Sequence, residues 1–522
     1  MKNLHIPSFI ILVVSVFCVS AEHYELANAV LHSWTWACVI FVVTYALSAM
    51  CVGKRMIIQK GKIMKTVCVV GILEILYSIV QLFGVVPDNY RYAPFSGSLN
   101  NPAIFGMYLS FCLPITVYYS VRSAAKERRA WRILSIVFVV FVFLSCSRTA
   151  VIASLSGAVL VLMMERETFM KRFRSKKKQL VLIGGMAVFL IAMYYYKRDS
   201  ADGRLLIWTV CMEMIKERPW TGCGFDGYMA QYMNYQADYL VAHPESPYTL
   251  LAGETQNPFN EFLRVAVLYG IPCAAAFVVV LVSTLLYIYR KAREYRSVLL
   301  ALCVVFDVWC LFSYPLNIPF VWLIILFVCV SLPSPVNHVR IPKCSIVIVF
   351  IASMIVFGVL GTSTMHDIRR ILLQERAVIC CDDNTMREYA DMYEEYADDY
   401  QFIYNYGAVL HQRGEYMKSV EVFERGSGHL YDYNMMLLLG DDYQKLKQYD
   451  LALACYKRAG EMVPCRYLPL YYSMQVYIEM GDTVEARKMA NAIIHKENKI
   501  KKSRLTRQVV MEAKKFLTDY LK

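Results

Sequence analysis

Four short motifs gather the side chains of this chain that suit chemistry, and each stands at the edge of an apolar run. The first, 97–109, reads GSLNNPAIFGMYL; Asn101 and Pro102 favour a turn that opens a helix, where proline is tolerated in the first turn. The second, 145–150, reads SCSRTA. Its Arg148 has no acidic neighbour in sequence, and a charge near lipid costs a few kcal/mol unless it snorkels or pairs. Arg148 therefore either reaches lipid phosphates at the surface or turns inward to hold an anion. The third combines GRLLIW at 203–208 with RPWTGCGFDG at 218–227. Trp208, Met212 and Ile215 fall at helical spacing, so the pattern predicts a short amphipathic helix with Arg204 at its start. A helix N-terminus prefers negative charge. A guanidinium there, beside free N–H groups, reads as an anion site of phosphate type. The glycines allow tight turns and match no nucleotide-binding fingerprint. The fourth is NPFNEFLR at 257–264, followed by YGIP at 269–272. Asn260 and Arg264 lie one turn apart on one face. Glu261 and Arg264 either pair with each other or serve a ligand separately.

The elements that must position these motifs are membrane helices. The chain is 57% hydrophobic and 19% charged, with a mean hydropathy of +0.39. Soluble domains carry about 25% charged residues. The net charge of +13 does not indicate nucleic acid, because the basic residues form short clusters between apolar runs, the pattern of orientation signals. The 17 cysteines contain no C-x-x-C pair and lie mostly in apolar runs, as small buried hydrophobes do. A bilayer core takes about 20 apolar residues per helix. Runs of that kind occur at 6–20, 34–52, 65–86, 104–121, 133–146, 150–164, 180–196, 262–289, 297–311, 320–332 and 344–361, which makes about eleven spans. Backbone polar groups in lipid are satisfied internally, so the expected fold is all-α, a polytopic helix bundle over 1–361. Basic clusters follow every second run, at 54–65, 122–132, 166–178, 290–296 and 340–343. The N-terminus is then cytoplasmic, and the large loop 197–261 and everything after 361 are periplasmic. The first run ends Val-Ser-Ala, as a signal peptide also does; we read it as an uncleaved span, and cleavage leaves the downstream topology unchanged. The spans read as nearly free of charge at mid-depth, Asp307 being the main exception.

After residue 361 the composition turns polar and a repeat emerges. Gly407, Gly440 and Ser473 recur at one helix position, Ser419, Ala452 and Ala486 at a second, and Phe423, Tyr456 and Ala490 at a third. The period fits the roughly 34-residue helix-turn-helix unit of tetratricopeptide repeats. Residues 362–522 are thus expected to form an extracytoplasmic α-solenoid, with a helix near 386–396 in front and a basic helix at 499–521 behind. Such a stack is either a docking surface for a protein partner or a rigid spacer.

Together, over about residues 90–275, the four motifs resemble the O-antigen ligase and polymerase superfamily, the Wzy/WaaL-type membrane glycosyltransferases. Gly97, Asn101, Pro102, Gly106 and Leu109 match its first loop, and Ser147 and Arg148 its Ser-Arg pair. Arg204, Trp208, Pro219, Gly222 and Gly224 match its third segment, and Asn260, Leu263, Gly270 and Ile271 its fourth. The resemblance implies an inverting transfer, with no metal or cofactor, of a glycan from undecaprenyl pyrophosphate to an acceptor hydroxyl on the periplasmic face of the inner membrane. It implies that Arg204, supported by Arg148 and Arg264, stabilises the departing diphosphate, with Asn260, Asn101 and Trp208 completing the substrate-binding set. The family's general base is the histidine of a His-Asn-x-x-Leu motif. Alignment on Asn260 and Leu263 puts Phe259 there, and phenylalanine takes no proton. Glu261, fixed beside Asn260, is the first candidate for that role. His243, whose ordinary pKa near 6.5 suits proton transfer, is the second, its alternative being a solvated loop residue. Glu254 is a further candidate. The acceptor is a lipid core, a growing polymer or a protein hydroxyl. The readings from other classes are a transporter and a non-catalytic membrane anchor.

Overall fold

The computed structural model describes residues 60–86, 93–166, 198–224, 227–332, 368–378, 382–397, 399–426, 432–496 and 503–519, with scattered positions at 184–195 and 362–366. Every regular element among them is helical. They divide into two compact units. The first comprises 1–193, 259–262 and 276–372; the second comprises 194–258, 263–275 and 373–522.

The first unit contains α1 (Lys60–Leu82), α2 (Pro102–Arg122), α3 (Ala125–Leu144) and α4 (Arg148–Glu165). After it come α5 (Arg198–Glu217) and α6 (Gly227–Ala242) of the second unit. The next helix, α7 (Glu261–Lys291), contributes to both, and α8 (Arg296–Phe312) and α9 (Pro319–Ser331) return to the first. Four helices, α1, α2, α4 and α7, are long and apolar enough to cross a membrane. The expected third to sixth and eighth to tenth spans coincide with α1–α4 and α7–α9. The first, second and eleventh, and most of the seventh, lie outside the described residues. Small residues set the crossings of α1–α4 and α8, as membrane helices require. A methyl group on Gly157 of α4 would stand 2.7 Å from Val305 of α8 and 2.8 Å from Pro114 of α2. One on Gly71 of α1 would stand 2.9 Å from the Cys112 sulfur. Two polar side chains inside this unit bond across helices: Trp309 Nε1 donates to Ser110 Oγ at 2.9 Å, and the Tyr108 hydroxyl to the Val67 carbonyl at 3.0 Å.

The second unit joins α5, α6 and the middle of α7 to eight C-terminal helices: α10 (Asp383–Met392), α11 (Tyr400–Gln412), α12 (Tyr416–Gly426), α13 (Tyr433–Lys445), α14 (Tyr449–Met462), α15 (Leu468–Glu479), α16 (Thr483–His495) and α17 (Arg504–Asp519). From α11 onward each helix packs on its chain neighbour. Aspartates 382, 399, 432 and 482 open α10, α11, α13 and α16, each accepting from the N–H three residues on, at 2.7–3.0 Å. The recurring small and large positions meet each other. A methyl on Gly407 would stand 2.4 Å from the Phe423 ring, and one on Gly440 2.5 Å from the Tyr456 ring. In the last pair both partners, Ser473 and Ala490, are small and buried. Tyr389 of α10 stacks on Tyr406 of α11 at the front, and Val509, Val510 and Ala513 of α17 complete a small core with Ala490 and Ile493 at the back.

The polar interval 194–258 packs with these C-terminal helices. Leu206, Val210 and Met214 of α5, Tyr232 and Ala237 of α6, and Met462 and Val463 at the end of α14 share one apolar core.

Candidate functional site

In the first unit three of the motifs open a helix in the same way. Asn101 precedes α2, and its side-chain oxygen accepts from the N–H groups of Ala103 (2.9 Å) and Ile104 (3.4 Å). Ser147 precedes α4 and accepts from Ala150 N–H at 3.3 Å, which makes the half-buried Arg148 the first residue of that helix. Asn260 immediately precedes α7. Each of these three follows a non-glycine residue at positive φ: Asn100 (51°), Cys146 (53°) and Phe259 (54°). Such backbone is costly, by roughly 1–3 kcal/mol each, and tends to mark functional sites. Motifs one and two also touch, since a methyl on Gly106 would stand 2.7 Å from Ser145 Oγ and 2.8 Å from Ala150.

The loop ahead of Asn101 is held by two polar residues of α1. Glu74, fully buried, accepts from Ser98 N–H at 3.1 Å and from the Ser98 hydroxyl. Gln81 accepts from Gly97 N–H at 2.9 Å and donates to the Gly97 carbonyl at 3.2 Å. Gly97 lies at φ 70°, where a methyl would stand 2.7 Å from both Glu74 and Phe105. Sequence reading passed over Glu74 by treating these spans as nearly uncharged. An acidic residue inside an apolar run was the available signal.

Glu261 is also fully buried, and its Oε1 accepts from Leu316 N–H at 3.0 Å, in the short 3-10 turn Pro315–Asn317 that precedes α9. Its carboxylate thus joins the start of α7 to that turn. Phe259, which the resemblance aligns with the family's histidine, packs its ring 5.6 Å from that of Tyr314. Phenylalanine is not enriched in the left-handed region, so its backbone at φ 54° is strained.

In the second unit the third and fourth motifs are joined through backbone. α7 breaks at Gly270, whose φ of 84° and ψ of 168° only glycine adopts readily. Pro272 has no N–H to return to Leu268. The turn after α5 supplies what the break removes. Cys223 N–H donates to the Val267 carbonyl (2.8 Å), Gly224 N–H to the Leu268 carbonyl (3.0 Å), and Ile271 N–H to the Pro219 carbonyl (2.8 Å). Backbone meets backbone closely enough to exclude side chains. A methyl on Gly222 would lie 2.4 Å from the Leu268 carbonyl, and one on Gly270 2.3 Å from the Trp220 oxygen. Trp208 fastens the same region, its Nε1 donating to the Pro258 carbonyl at 2.9 Å, two residues ahead of Asn260.

One expectation needs correction. Residues 198–217 are continuously helical, so Arg204 lies within α5 and not at its opening. The free N–H groups invoked beside it are spent on helical hydrogen bonds. Among the described arginines of the motifs, Arg148 is the one at a helix start. Arg204 and Arg264 are each half-buried, on α5 and α7. His243 is exposed just past α6, with Nδ1 2.9 Å from the Tyr239 carbonyl and its ring stacked on Tyr239. Glu254 forms an ion pair with Arg466 at 3.2 Å. Burial raises its carboxyl above the usual range, Arg466 works against that, Asp432 adds to it and Asn434 lowers it. Asn101, Arg148, Asn260 and Glu261 thus belong to the first unit, and Arg204, Trp208, His243 and Arg264 to the second. Cys211 and Cys223, whose pairing the sequence leaves open, are both free thiols.

Residues 133–278 match the family model described as O-antigen ligase. The matched stretch contains the second, third and fourth motifs, while the first lies ahead of it. No curated protein matches the chain. With its apolar helices the chain is a membrane protein, and the match supports a ligase- or polymerase-like membrane glycosyltransferase.

The backbone junction makes a direct prediction. Gly222→Ala forces a side chain into the Leu268 carbonyl at a positive φ and is expected to destabilise the second unit by about 3 kcal/mol. A melting temperature for detergent-solubilised full chain checks it. A wild-type value would show that the turn does not pack against α7 as described.

Proposed function

We propose that this chain is an inner-membrane glycosyltransferase that moves a glycan from undecaprenyl pyrophosphate to an acceptor hydroxyl at the periplasmic face. The observation that carries the reading is the O-antigen ligase match over 133–278, within which Ser147, Arg148, Arg204 and the interlocked glycine turns all fall. In this reading the N-terminus is cytoplasmic. Residues 197–261 and the C-terminal helices, a tetratricopeptide-type solenoid, are periplasmic.

The reaction breaks the bond between the anomeric carbon and the diphosphate oxygen, and an acceptor oxygen attacks from the opposite side. Negative charge grows on the departing diphosphate, so fixed cations near it lower the barrier. Arg204 is assigned that role, with Arg148 and Arg264 in support. At the start of α4, Arg148 adds its charge to the positive end of the helix, an arrangement suited to phosphate oxygens. Asn260, Asn101 and Trp208 are assigned to holding the substrate. The attacking hydroxyl must lose a proton, which requires a base within hydrogen-bonding reach. Glu261 is assigned first and His243 second.

Arg204→Ala is expected to abolish transfer while the protein still accumulates in the membrane, read from surface-glycan profiles of cells carrying each variant. An unchanged profile removes Arg204 from the site and leaves the departing diphosphate to Arg148 and Arg264. Glu261→Gln keeps an acceptor for Leu316 N–H but cannot take a proton. It is expected to eliminate transfer by solubilised chain whose melting temperature matches wild type. Near-normal transfer instead makes Glu261 a structural tie and moves the base role to His243. Protease added outside spheroplasts is expected to degrade residues 383–522, and full protection would invert the topology.

A further inference from the structure

The O-antigen ligase match ends at residue 278, which suggests that the matched stretch carries the chemistry unaided. The packing of the second unit argues otherwise. α6 packs on α5, the helix of Arg204, and also on α14 from the C-terminal series. The contact is specific. Gln236 of α6 is fully buried; its Nε2 donates to the Met462 carbonyl at 2.7 Å and to the Gly253 carbonyl at 3.2 Å, and its Oε1 accepts from the Tyr232 hydroxyl at 2.9 Å. Arg458 of α14 forks across α6, reaching the Asn234 side chain at 2.9 Å and Asp238 at 2.8 Å. Further along, Arg466 pairs with Glu254 at 3.2 Å while its guanidinium lies 4.4 Å over the Tyr433 ring, and Cys465 Sγ approaches the Ala252 carbonyl at 3.6 Å. Three separate points of 194–258 are thereby fixed to helices more than 200 residues away in the chain.

A buried amide that satisfies two carbonyls holds them in one arrangement, because losing it leaves both acceptors unpaired. A docking arm or spacer needs no such attachment to the segment bearing Arg204. We infer that the C-terminal helices α13 and α14, with the connection to α15, are an internal clamp that positions the Arg204 segment for transfer, and that Gln236, Arg458 and Arg466 are its positioning residues. The inference rests on the proposed transferase reading for what is positioned, though the clamp itself is a property of the second unit. Misplacement by about 1 Å at a reacting centre can cost on the order of a hundredfold in rate. Loosening the clamp should therefore reduce turnover in a chain that still folds.

The test uses full-length chain in native membranes. Arg458→Asp and Asp238→Arg each place like charges in contact at a partly exposed site. Each is expected to lower transfer about tenfold or more at wild-type membrane abundance and to speed proteinase K cleavage within 243–258. The double swap restores opposite charges and is expected to recover transfer to within about threefold and to slow cleavage again. Gln236→Leu, similar in size but without the two donated hydrogen bonds, is expected to behave like the single charge variants. Single variants with wild-type transfer, or a double swap no better than the worse single, would overturn the clamp. Deletion of the whole chain serves as the separate control. If it leaves surface glycan unchanged while the charge variants are cleaved faster, the transferase reading fails and the clamp stands.

Discussion

The backbone exchange at the break in α7 is the constraint on which the second unit depends. A helix interrupted inside an apolar run leaves carbonyls without their helical partners, so the protein must supply donors from elsewhere in the chain. Here Val267 and Leu268 lose their helical partners at Gly270 and Pro272, and Cys223 and Gly224 replace them. Ile271 closes the exchange by donating to Pro219. Two chain segments with no side-chain similarity are thus locked by three hydrogen bonds that only glycine at 222 and 270 permits. This is a physical reason for Pro-x-x-Gly-x-Gly and Gly-Ile to occur together. Each motif is the hydrogen-bond complement of the other, and α5, with Arg204, is carried into place by that pairing.

A second constraint operates in the first unit. Ionisable groups inside a bilayer are expensive and persist where they hold something. Glu74 and Gln81 spend their polar atoms on the backbone of 97–98, and Glu261 spends one oxygen on Leu316. In both cases a buried acidic side chain fixes a loop at a helix opening, next to a residue held at positive φ. Rigid loops are what an electrostatic mechanism needs, since charge stabilisation is most effective when donors and cations do not have to reorganise.

The all-helical architecture was legible in the sequence because apolar runs near bilayer length have few other folds available. The expected runs at 65–86, 104–121, 150–164 and 262–289 fall on helices long and apolar enough to cross a membrane. The small and large positions of the C-terminal helices were legible too, since Gly407 against Phe423 and Gly440 against Tyr456 recur at a fixed spacing. What stayed hidden was tertiary. No local pattern pairs Gly222 with Leu268, because the link is backbone to backbone. Nothing in the hydropathy of 197–261 reveals Gln236 reaching Met462, 226 residues on. Arg204 was placed at a helix opening because the apolar periodicity begins after it, whereas residues 198–203 are already helical.

Phe259 shows how a local conformation limits chemistry. The backbone at this position is left-handed at φ 54°, a state that histidine, asparagine and aspartate tolerate better than a bulky aromatic does. The bend is held from both sides of residue 259. Pro258 is held by Trp208, Asn260 opens α7, and Glu261 is tied to Leu316. The bend therefore sets where α7 opens. Phenylalanine takes no proton, so on the proposed reading the acceptor's proton goes to a carboxylate or imidazole elsewhere, with Glu261 first, held by Leu316 and not by the ring at 259.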